Sequence, residues 1–393
     1  MPPVHICTSL IFARSDDDGA SWDQLEVLLD PNELFDDCNQ TEAARCTDGV
    51  GPGGRWDSPG CQTGVGVVCG GGCAVWDPTP VADADTGHVH VLFGRSTSSC
   101  RGGASAGLRE DLWVMTSADL GTTWSTPRNI TSVCSAPYGG GVTPSGGHGI
   151  QLDDGTGRMI VPMYAQSTPP ALSGQGLCIS GDHGETWSAG GRVEGDGTQY
   201  DGPYEGEVVE LFEKTAAGSP ILLYDCRIKL HPGRSCGVAA DGNLSSNGGG
   251  GIGNNAVANC RMTYLSDDLG KTWSRGTLHP EMADPGCKGG IMRYRGGGYS
   301  ALFAVGTDST ALRVNATVWA SIDDGRSFKK RLRLDRRGGY STVQITAAGK
   351  VGVVYVAAPP TETGATFGEC SINLAAVDPS LLLGPVQDPA ATP

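Results

Sequence analysis

The sequence has few apolar residues and no long apolar run. Apolar types make up 38% of the 393 residues. No stretch approaches the roughly 18 consecutive apolar residues of a membrane-spanning helix, so the sequence excludes a membrane span of that kind. No segment shows the apolar spacing of an amphipathic helix either. Gly, by contrast, occurs 61 times, which favours many short strands joined by tight turns.

These absences favour a single all-β domain. The length alone would allow two domains, but a closed array of β-strands can reach this size as one. We predict that domain over residues 1–379. Residues 36–72 are rich in Cys, Gly and Asp and show little periodicity, so we expect a loop-like insertion held by disulfides. The Pro/Ala-rich tail, residues 380–393, is expected to fray.

Positive charge is scarce. The chain has 28 Lys and Arg against 43 Asp and Glu, a formal net charge of −15 at pH 7. This balance argues against a nucleic-acid partner, whose phosphates would be repelled. It also repels an anionic sugar at long range, so such a substrate would need a locally basic pocket. The basic run Lys329–Arg337 could be a localisation signal, or a solvated strand face on which Leu332 and Leu334 alternate with the cations; we favour the strand face.

Motifs for cofactor and metal binding are missing as well. Gly270-Lys271-Thr272 resembles the end of a phosphate-binding loop, but Leu265 stands where that loop requires Gly. Cys69 and Cys73 lack a second nearby pair of Cys or His that would complete a tetrahedral zinc site. We therefore predict no cofactor and no metal.

Cysteine, however, is abundant. The 14 Cys residues, together with four N-glycosylation sequons at Asn39, Asn129, Asn243 and Asn315, indicate an oxidised, exported chain. We expect a secreted protein or one in the lysosomal or endomembrane lumen. The first residues, Met1–His5, show no basic segment followed by an apolar one, so no signal peptide is visible.

One eight-residue phrase is repeated along the chain: Ser, any residue, Asp, any residue, Gly, any residue, Thr or Ser, aromatic. Asp accepts local backbone N–H bonds, Gly adopts positive φ, and the aromatic side chain packs into the core, which is hairpin chemistry. Repeated all-β units in one chain favour a radial array such as a propeller. The five copies are Ser15–Trp22, Ser117–Trp124, Ser180–Trp187, Ser266–Trp273 and Ser321–Phe328.

This phrase is the Asp box, and the chain resembles the sialidase (neuraminidase) family of six-bladed β-propellers. Longer segments match that family in order from about Leu10 to Ala376. The resemblance implies an exo-α-sialidase that removes terminal sialic acid from glycoproteins, gangliosides or oligosaccharides. Its partners would be sialylated glycoconjugates.

The resemblance also implies roles for individual residues. Tyr340 would be the nucleophile and Glu205 its base. Arg227 and Arg313 would bind the substrate carboxylate, Asp77 would accept a hydrogen bond from a sugar hydroxyl, and Trp76 would line the same pocket. Two alternatives stay open: Glu207 could replace Glu205, and Arg261 could replace Arg227.

A tyrosine nucleophile suits this substrate on physical grounds. Sialic acid carries its carboxylate on the anomeric carbon, so an attacking carboxylate would meet a repulsion of about 4 kcal/mol at roughly 4 Å and an effective dielectric near 20. A neutral phenol avoids this, and sialidases are exceptions to the two-carboxylate scheme of other glycosidases. A phenol with a pKa of about 10 needs a base within hydrogen-bond reach. Double displacement would then retain the anomeric configuration.

The N-terminus departs from the family pattern. The family has an arginine in a first strand and an acid/base aspartate before the first Asp box, but that box opens here at Ser15. We therefore expect an N-terminally incomplete chain with an incomplete first blade. The alternatives are an inactive, glycan-binding propeller and a trans-sialidase.

Overall fold

A computed structural model describes residues 10–30, 74–96, 110–135, 138, 142–165, 174–195, 199–231, 234–237, 259–357 and 371–384. The insertion predicted over residues 36–72 lies outside these ranges. The chain contacts divide the protein into two compact units. The first unit contains the described residues up to 195 except 17–19, and the second contains residues 17–19 and those from 199 onwards.

The first unit is built from antiparallel sheets of consecutive strands. Strands β1 (Leu10–Phe12) and β2 (Glu26–Leu29) form a two-stranded sheet. A four-stranded sheet follows, made of β3 (Ala74–Ala82), β4 (Val89–Ser96), β5 (Glu110–Ser117) and β6 (Arg128–Asn129). After helix α1 (Thr131–Cys134) comes a six-stranded sheet of β7 (Thr143–Pro144), β8 (Ile150–Gln151), β9 (Met159–Ala165), β10 (Gly174–Ser180), β11 (Ser188–Ala189) and β12 (Val193–Glu194).

The second unit repeats the same architecture. A small sheet pairs β13 (Tyr200–Asp201) with β16 (Lys229–Leu230). One four-stranded sheet contains β14 (Gly206–Lys214), β15 (Pro220–Arg227), β17 (Cys260–Ser266) and β18 (Thr277–Ala283). The next contains β19 (Gly290–Gly296), β20 (Tyr299–Thr307), β21 (Val314–Ser321) and β22 (Lys329–Arg337). Last come β23 (Ser341–Ile345), β24 (Val351–Ala357), β25 (Ser371–Val377) and helix α2 (Pro379–Leu383).

The predicted all-β class is confirmed, and the described residues form five sheets of blade type. The two-stranded β1–β2 sheet stands where a further blade was expected, in accordance with the prediction of an incomplete first blade. Each blade buries aliphatic and aromatic side chains, with Leu92 and Met159 fully buried in the first unit and Val318 and Phe303 in the second. No helix among the described residues has the length and apolarity needed to cross a bilayer.

The beginning of the predicted tail is ordered, which corrects the expectation for residues 380–383. Asp378 caps helix α2 by accepting a hydrogen bond from the backbone N–H of Ser380 at 2.8 Å, and Pro379 occupies the first turn, where its missing N–H costs nothing. Leu382 is buried in the core of the last two sheets. The expectation of fraying was based on the Pro/Ala-rich composition of the tail and did not consider Asp378 as a helix cap.

Two disulfides join described residues, Cys134 to Cys178 and Cys236 to Cys260. Cys226 and Cys287 are buried free thiols. The predicted oxidised character of the chain therefore holds for part of its cysteines.

The turns of the Asp boxes fold as their chemistry predicts, but the aromatic residue of the first copy, Trp22, is 52% exposed and does not pack into the core as predicted. In the third copy, Asp182 accepts hydrogen bonds from the backbone N–H and the hydroxyl of Thr186, and the Ser180 hydroxyl accepts one from the backbone N–H of Gly184 at 2.9 Å. The residue before the glycine has a positive φ of 60°, followed by 83° at Gly184. In the second copy, hydrogen bonds from the Thr123 backbone and side chain lower the pKa of Asp119 to about 2.

Gly184 gives a test of this packing. A Cβ atom there would lie 2.2 Å from His90 Cε1 in a backbone with φ of +83°. We expect Gly184→Ala to lower the free energy of unfolding by about 2–4 kcal/mol, the sum of backbone strain and overpacking. The matched control is Gly155→Ala, where φ is +73° but no atom lies within 4 Å. It should cost about 1 kcal/mol in the same urea titration. Equal losses in the two variants would contradict the packing argument.

Candidate active site

Backbone pairing holds Glu205 and Arg227 beside each other. Glu205 immediately precedes β14 and Arg227 ends β15, in an antiparallel pair that places Gly206 opposite Cys226. The backbone N–H of Arg227 donates to the carbonyl of Glu205 at 3.2 Å. The side chains form an ion pair between Arg227 Nε and Glu205 Oε2. The carboxylate is buried, while the guanidinium is partly exposed.

Tyr340 and Arg313 join this pair from two later strand connections. Tyr340 lies between β22 and β23, and Arg313 directly precedes β21. The Arg313 guanidinium carbon lies 4.8 Å from the centroid of the Tyr340 ring, and that of Arg227 lies 6.0 Å from it. The second unit therefore brings together the predicted phenol, the predicted base and both predicted carboxylate-binding arginines.

The electrostatics of the cluster keep the phenol protonated. Burial and then the Glu205 carboxylate raise the pKa of Tyr340, while Arg227 and Arg313 act in the opposite direction. Burial by itself would lower the pKa of Arg227, but the nearby negative groups, Glu205 first among them, together outweigh burial and raise the pKa. The arrangement therefore presents a neutral phenol beside two permanent cations and a carboxylate.

The raised pKa of Tyr340 can be checked by titration. The near-ultraviolet difference spectrum between the wild type and Tyr340→Phe isolates this one phenol. We expect its phenolate signal to appear only above the ordinary pKa of 10.0, because burial and the Glu205 charge disfavour the anion. A phenolate signal that appears below that pH would contradict the electrostatic account and remove the need for a base.

Glu207, the alternative to Glu205, is taken up by structural contacts. It is fully buried, and its Oε1 accepts hydrogen bonds from Lys288 Nζ at 2.6 Å and from the Thr342 hydroxyl at 2.7 Å. Its Oε2 accepts one from the backbone N–H of Ile291 at 2.9 Å. These contacts connect β14, β19 and β23, so Glu207 stabilises the sheets in a way that Glu205 does not.

Arg261, the alternative to Arg227, is likewise enclosed. Its Nη2 donates to Asp225 Oδ2 at 2.5 Å, and its Nη1 lies 3.4 Å from Asp284 Oδ2 and 3.0 Å from the Cys287 carbonyl. Its side chain is only 2% exposed, against 16% for Arg227. Two carboxylates in a buried network hold Arg261, which leaves Arg227 as the better candidate.

The sequence did not point to the segment from Asp284 to Lys288, which supports the cluster. Asp284 accepts hydrogen bonds from the backbone N–H groups of Gly286 and Cys287, and the Gly286 carbonyl accepts one from Arg227 Nη1 at 3.1 Å. Lys288 Nζ donates to the carbonyl of Ser341, the residue after Tyr340, at 3.1 Å. No sequence motif marks these residues, because their partners lie far away along the chain.

Two further neighbours were also missed. The Tyr204 ring lies 5.6 Å from the Arg227 guanidinium carbon. Burial raises the pKa of the Cys287 thiol to about 11, although Arg313 and Arg227 lower it. Cys287 is therefore a neutral thiol at pH 7 rather than a second nucleophile.

Asp77 and Trp76 lie in the first unit, on β3. Asp77 has a positive φ of 50°, at an irregularity in the pairing of β3 with β4, and its Oδ2 accepts a hydrogen bond from the Tyr164 hydroxyl at 3.3 Å. Gly94 lies opposite Trp76, and a Cβ there would approach the indole Nε1 to 2.6 Å. The positive φ and the irregular pairing mark Asp77 within β3, and the part of Asp77 and Trp76 in substrate binding stays a prediction.

One group among the described residues has the spacing of a metal site, namely Asp83, Asp85 and His183. Asp83 already accepts hydrogen bonds from Thr86, from Gln151 and from His183 Nδ1, the last at 2.7 Å. Burial opposes the ionisation of Asp83, but the hydrogen bonds from Thr86 and His183 lower its pKa to about 2. The group is a satisfied hydrogen-bond network, and we assign it no metal.

Comparisons with known proteins show the family and the fold of the chain. Residues 68–353 match the family described as BNR repeat-like domain. A sialidase of Bacteroides fragilis (strain YCH46) is 25% identical over 361 residues, which cover 87% of this chain and 53% of that protein. Human Sialidase-4 is 29% identical over 136 residues, 30% of this chain and 27% of that protein. The chain thus spans about half the length, or less, of these curated relatives.

Solved structures show the same fold. The Hadza microbial sialidase Hz136 superimposes with a TM-score of 0.65 at 20% identity, over 96% of this chain and 61% of that one. The intramolecular trans-sialidase from Ruminococcus gnavus gives a TM-score of 0.62 at 17% identity, over 97% of this chain and 89% of that one. These likenesses confirm the predicted β-propeller.

Proposed function

The chain belongs to the BNR repeat-like domain family, and on that premise we propose that it is a retaining exo-α-sialidase acting on sialylated glycoconjugates. The observation that supports this most strongly is the grouping of Tyr340, Glu205, Arg227 and Arg313 in the second unit. A surface arginine or a structural glutamate does not require a half-buried phenol and a second guanidinium beside it. The sialidase mechanism uses the phenol, the carboxylate and both guanidinium groups.

The two arginines bind the substrate carboxylate. Arg227 and Arg313 flank the Tyr340 ring and present permanent positive charge in a chain whose net charge is −15. Each charge-assisted hydrogen bond to a carboxylate contributes roughly 1.5–3 kcal/mol. The pair therefore supplies the locally basic pocket that an anionic sugar requires.

Tyr340 attacks the anomeric carbon while Glu205 takes its proton. The bond from the anomeric carbon to the glycan oxygen breaks as the bond to Tyr340 Oη forms, and the released glycan oxygen takes up a proton from solvent. Water then attacks the anomeric carbon of the sialyl–tyrosine aryl glycoside and releases a proton to solvent, while the bond to Tyr340 Oη breaks and Glu205 returns its proton to the phenolate oxygen. Two inversions give net retention. Asp77 is proposed to accept a hydrogen bond from a sugar hydroxyl, and Trp76 to contact the sugar.

The proposed location follows from the cysteine chemistry. The disulfides Cys134–Cys178 and Cys236–Cys260 support an oxidising compartment, which is either the outside of the cell or an endomembrane lumen such as the lysosome.

The test of the function is an assay of the full chain with a fluorogenic α-sialoside and with sialyllactose, in the presence and absence of added lactose. Nuclear magnetic resonance identifies the anomer of free sialic acid that forms first. Release of the α anomer supports retaining hydrolysis. Transfer of sialic acid to lactose, or an anhydro-sugar as product, would instead make the protein a transferase. Calorimetric binding of sialyllactose without turnover would make it a glycan-binding propeller, and neither binding nor turnover would leave only a scaffold.

A further inference from the structure

Strand β22 is a cationic edge in an otherwise acidic protein. Its nine residues, Lys329–Arg337, contain six Lys and Arg, out of 28 in the whole chain, and a single acidic residue. The strand predicted from the alternating pattern is confirmed with these bounds. β22 ends its sheet, since it pairs with β21 on one side and is the last strand in the order.

The backbone of β22 turns its cations outwards. The pairing with β21 shifts twice, between Ala316 and Thr317 and between Val318 and Trp319, so single extra residues are accommodated on β22. Such bulges redirect side chains that strict alternation would point into the core. Five of the six basic side chains are accordingly exposed, and Arg331 is partly exposed.

Two of the cations are neutralised within the protein. Lys330 forms an ion pair with Asp308, and Arg337 pairs with Asp335 at 3.1 Å. The other four, Lys329, Arg331, Arg333 and Arg336, have no acidic partner among the described residues. The strand thus presents four positive charges that no described acidic residue neutralises.

Strand β22 is long enough to attract an anionic ligand although the whole chain carries a negative net charge. Nine residues of extended strand span about 30 Å. The Debye length at about 0.15 M salt is roughly 8 Å, so a ligand lying along β22 responds to the local cations rather than to distant carboxylates. Charged side chains, especially lysine, also protect a sheet edge against pairing with another chain.

We propose that β22 is a docking strip for sialic-acid-rich, multivalent glycans such as those of mucins, in addition to the Tyr340 site. The choice of partner rests on the proposed function, because the substrate-bearing surface is then itself a dense array of carboxylates. An enzyme with a net charge of −15 is repelled by such a surface, and a cationic strip on one edge both orients and retains it. Extended polyanions match a long strand edge better than they match a compact pocket.

The test compares two variants of the full chain that remove the same charge. The strip variant is Lys329→Gln/Arg331→Gln/Arg333→Gln/Arg336→Gln. The control variant removes four exposed cations elsewhere in the second unit: Lys229→Gln/Lys271→Gln/Arg275→Gln/Lys350→Gln. Binding to immobilised sialylated mucin, to the same mucin after acid desialylation, and to heparin is measured across a range of salt concentrations.

We expect the strip variant to bind sialylated mucin at least about tenfold more weakly at about 0.15 M salt than the control variant does, with a log–log salt slope flatter by about three. Its kcat/KM should fall by about the same factor on mucin and stay within about twofold of the control on a small fluorogenic sialoside. Equal binding of the two variants to sialylated mucin would overturn the proposal. Wild-type binding to desialylated mucin that equals its binding to sialylated mucin would overturn it too, as would wild-type binding to heparin and to neither mucin. If the wild type turns over no sialoside, the proposed function fails, and the mucin-binding arm still decides the role of β22.

Discussion

Tyr340→Phe is expected to lower the turnover of a fluorogenic α-sialoside by at least about 10³-fold. The substitution removes one oxygen atom and leaves the ring that packs beside Arg313, at a centroid distance of 4.8 Å, in place. Binding of the sugar should therefore persist while the covalent step is lost. We expect kcat to fall by this factor, whereas KM and the Kd of sialyllactose should each change by no more than a few fold.

The control for this substitution is Tyr355→Phe. Tyr355 is a buried phenol on β24, packed in the core of the last two sheets and not in the arginine cluster. It should lose less than about twofold in kcat, since no reacting atom is touched. If Tyr340→Phe turned over the sialoside as fast as Tyr355→Phe, the nucleophile would have to be another residue.

Arg261→Met is expected to lower the free energy of unfolding by about 3–5 kcal/mol. Removing this guanidinium leaves two buried carboxylates, those of Asp225 and Asp284, without their cation. An uncompensated buried charge costs far more than the loss of a surface ion pair. The measurement is urea unfolding at neutral pH, with Arg275→Met as a control at an exposed position that should change little.

The pH dependence of the same variant separates charge from packing. Burial already raises the pKa of Asp284 although Arg261 opposes it. Without Arg261, we expect the pKa of Asp284 in the folded state to rise further, so that this carboxyl holds its proton more firmly. The folded state then binds more protons than the unfolded state, so stability rises as the pH falls. We expect the deficit of Arg261→Met to shrink between about pH 7 and pH 4. A loss that is the same at every pH would indicate a packing defect, and a loss below about 1 kcal/mol would return Arg261 to the list of substrate-binding candidates.

The sequence alone could not decide between Arg227 and Arg261 as the substrate-binding arginine. Arg227 and Arg261 lie directly opposite each other on β15 and β17, so both occupy the same region of one sheet. What separates them is their acidic neighbours, since Asp225 and Asp284 enclose Arg261 while Glu205 meets Arg227. The 58 residues between Asp225 and Asp284 carry no local signal that these two carboxylates converge on one guanidinium.

The choice between Glu205 and Glu207 was open for the same reason. The two residues stand two positions apart in the sequence, and their local patterns are alike. Lys288, more than 80 residues further on, neutralises Glu207 and thereby removes it from candidacy. A contact of such sequence separation is fixed by the pairing of whole strands, which a single sequence does not reveal.

Local chemistry, in contrast, was predictable in detail. The Asp boxes predicted tight turns, and the described copies contain a residue with positive φ followed by a glycine with positive φ, as at His183 and Gly184. The run Lys329–Arg337 predicted a solvated strand and is β22. These features depend on residues within eight or nine positions of each other. The tail was misjudged from composition, because the capping by Asp378 is a property of one residue in its place.

The central claim is that Tyr340 Oη forms a covalent bond to the anomeric carbon of sialic acid. The most direct measurement is peptide mass spectrometry of the protein after incubation with a fluorinated sialosyl donor, whose intermediate forms faster than it is hydrolysed. The account predicts a fluorosialyl adduct on the peptide containing Tyr340, absent from Tyr340→Phe. An adduct on any other residue, or steady turnover of the donor without any adduct, would contradict it.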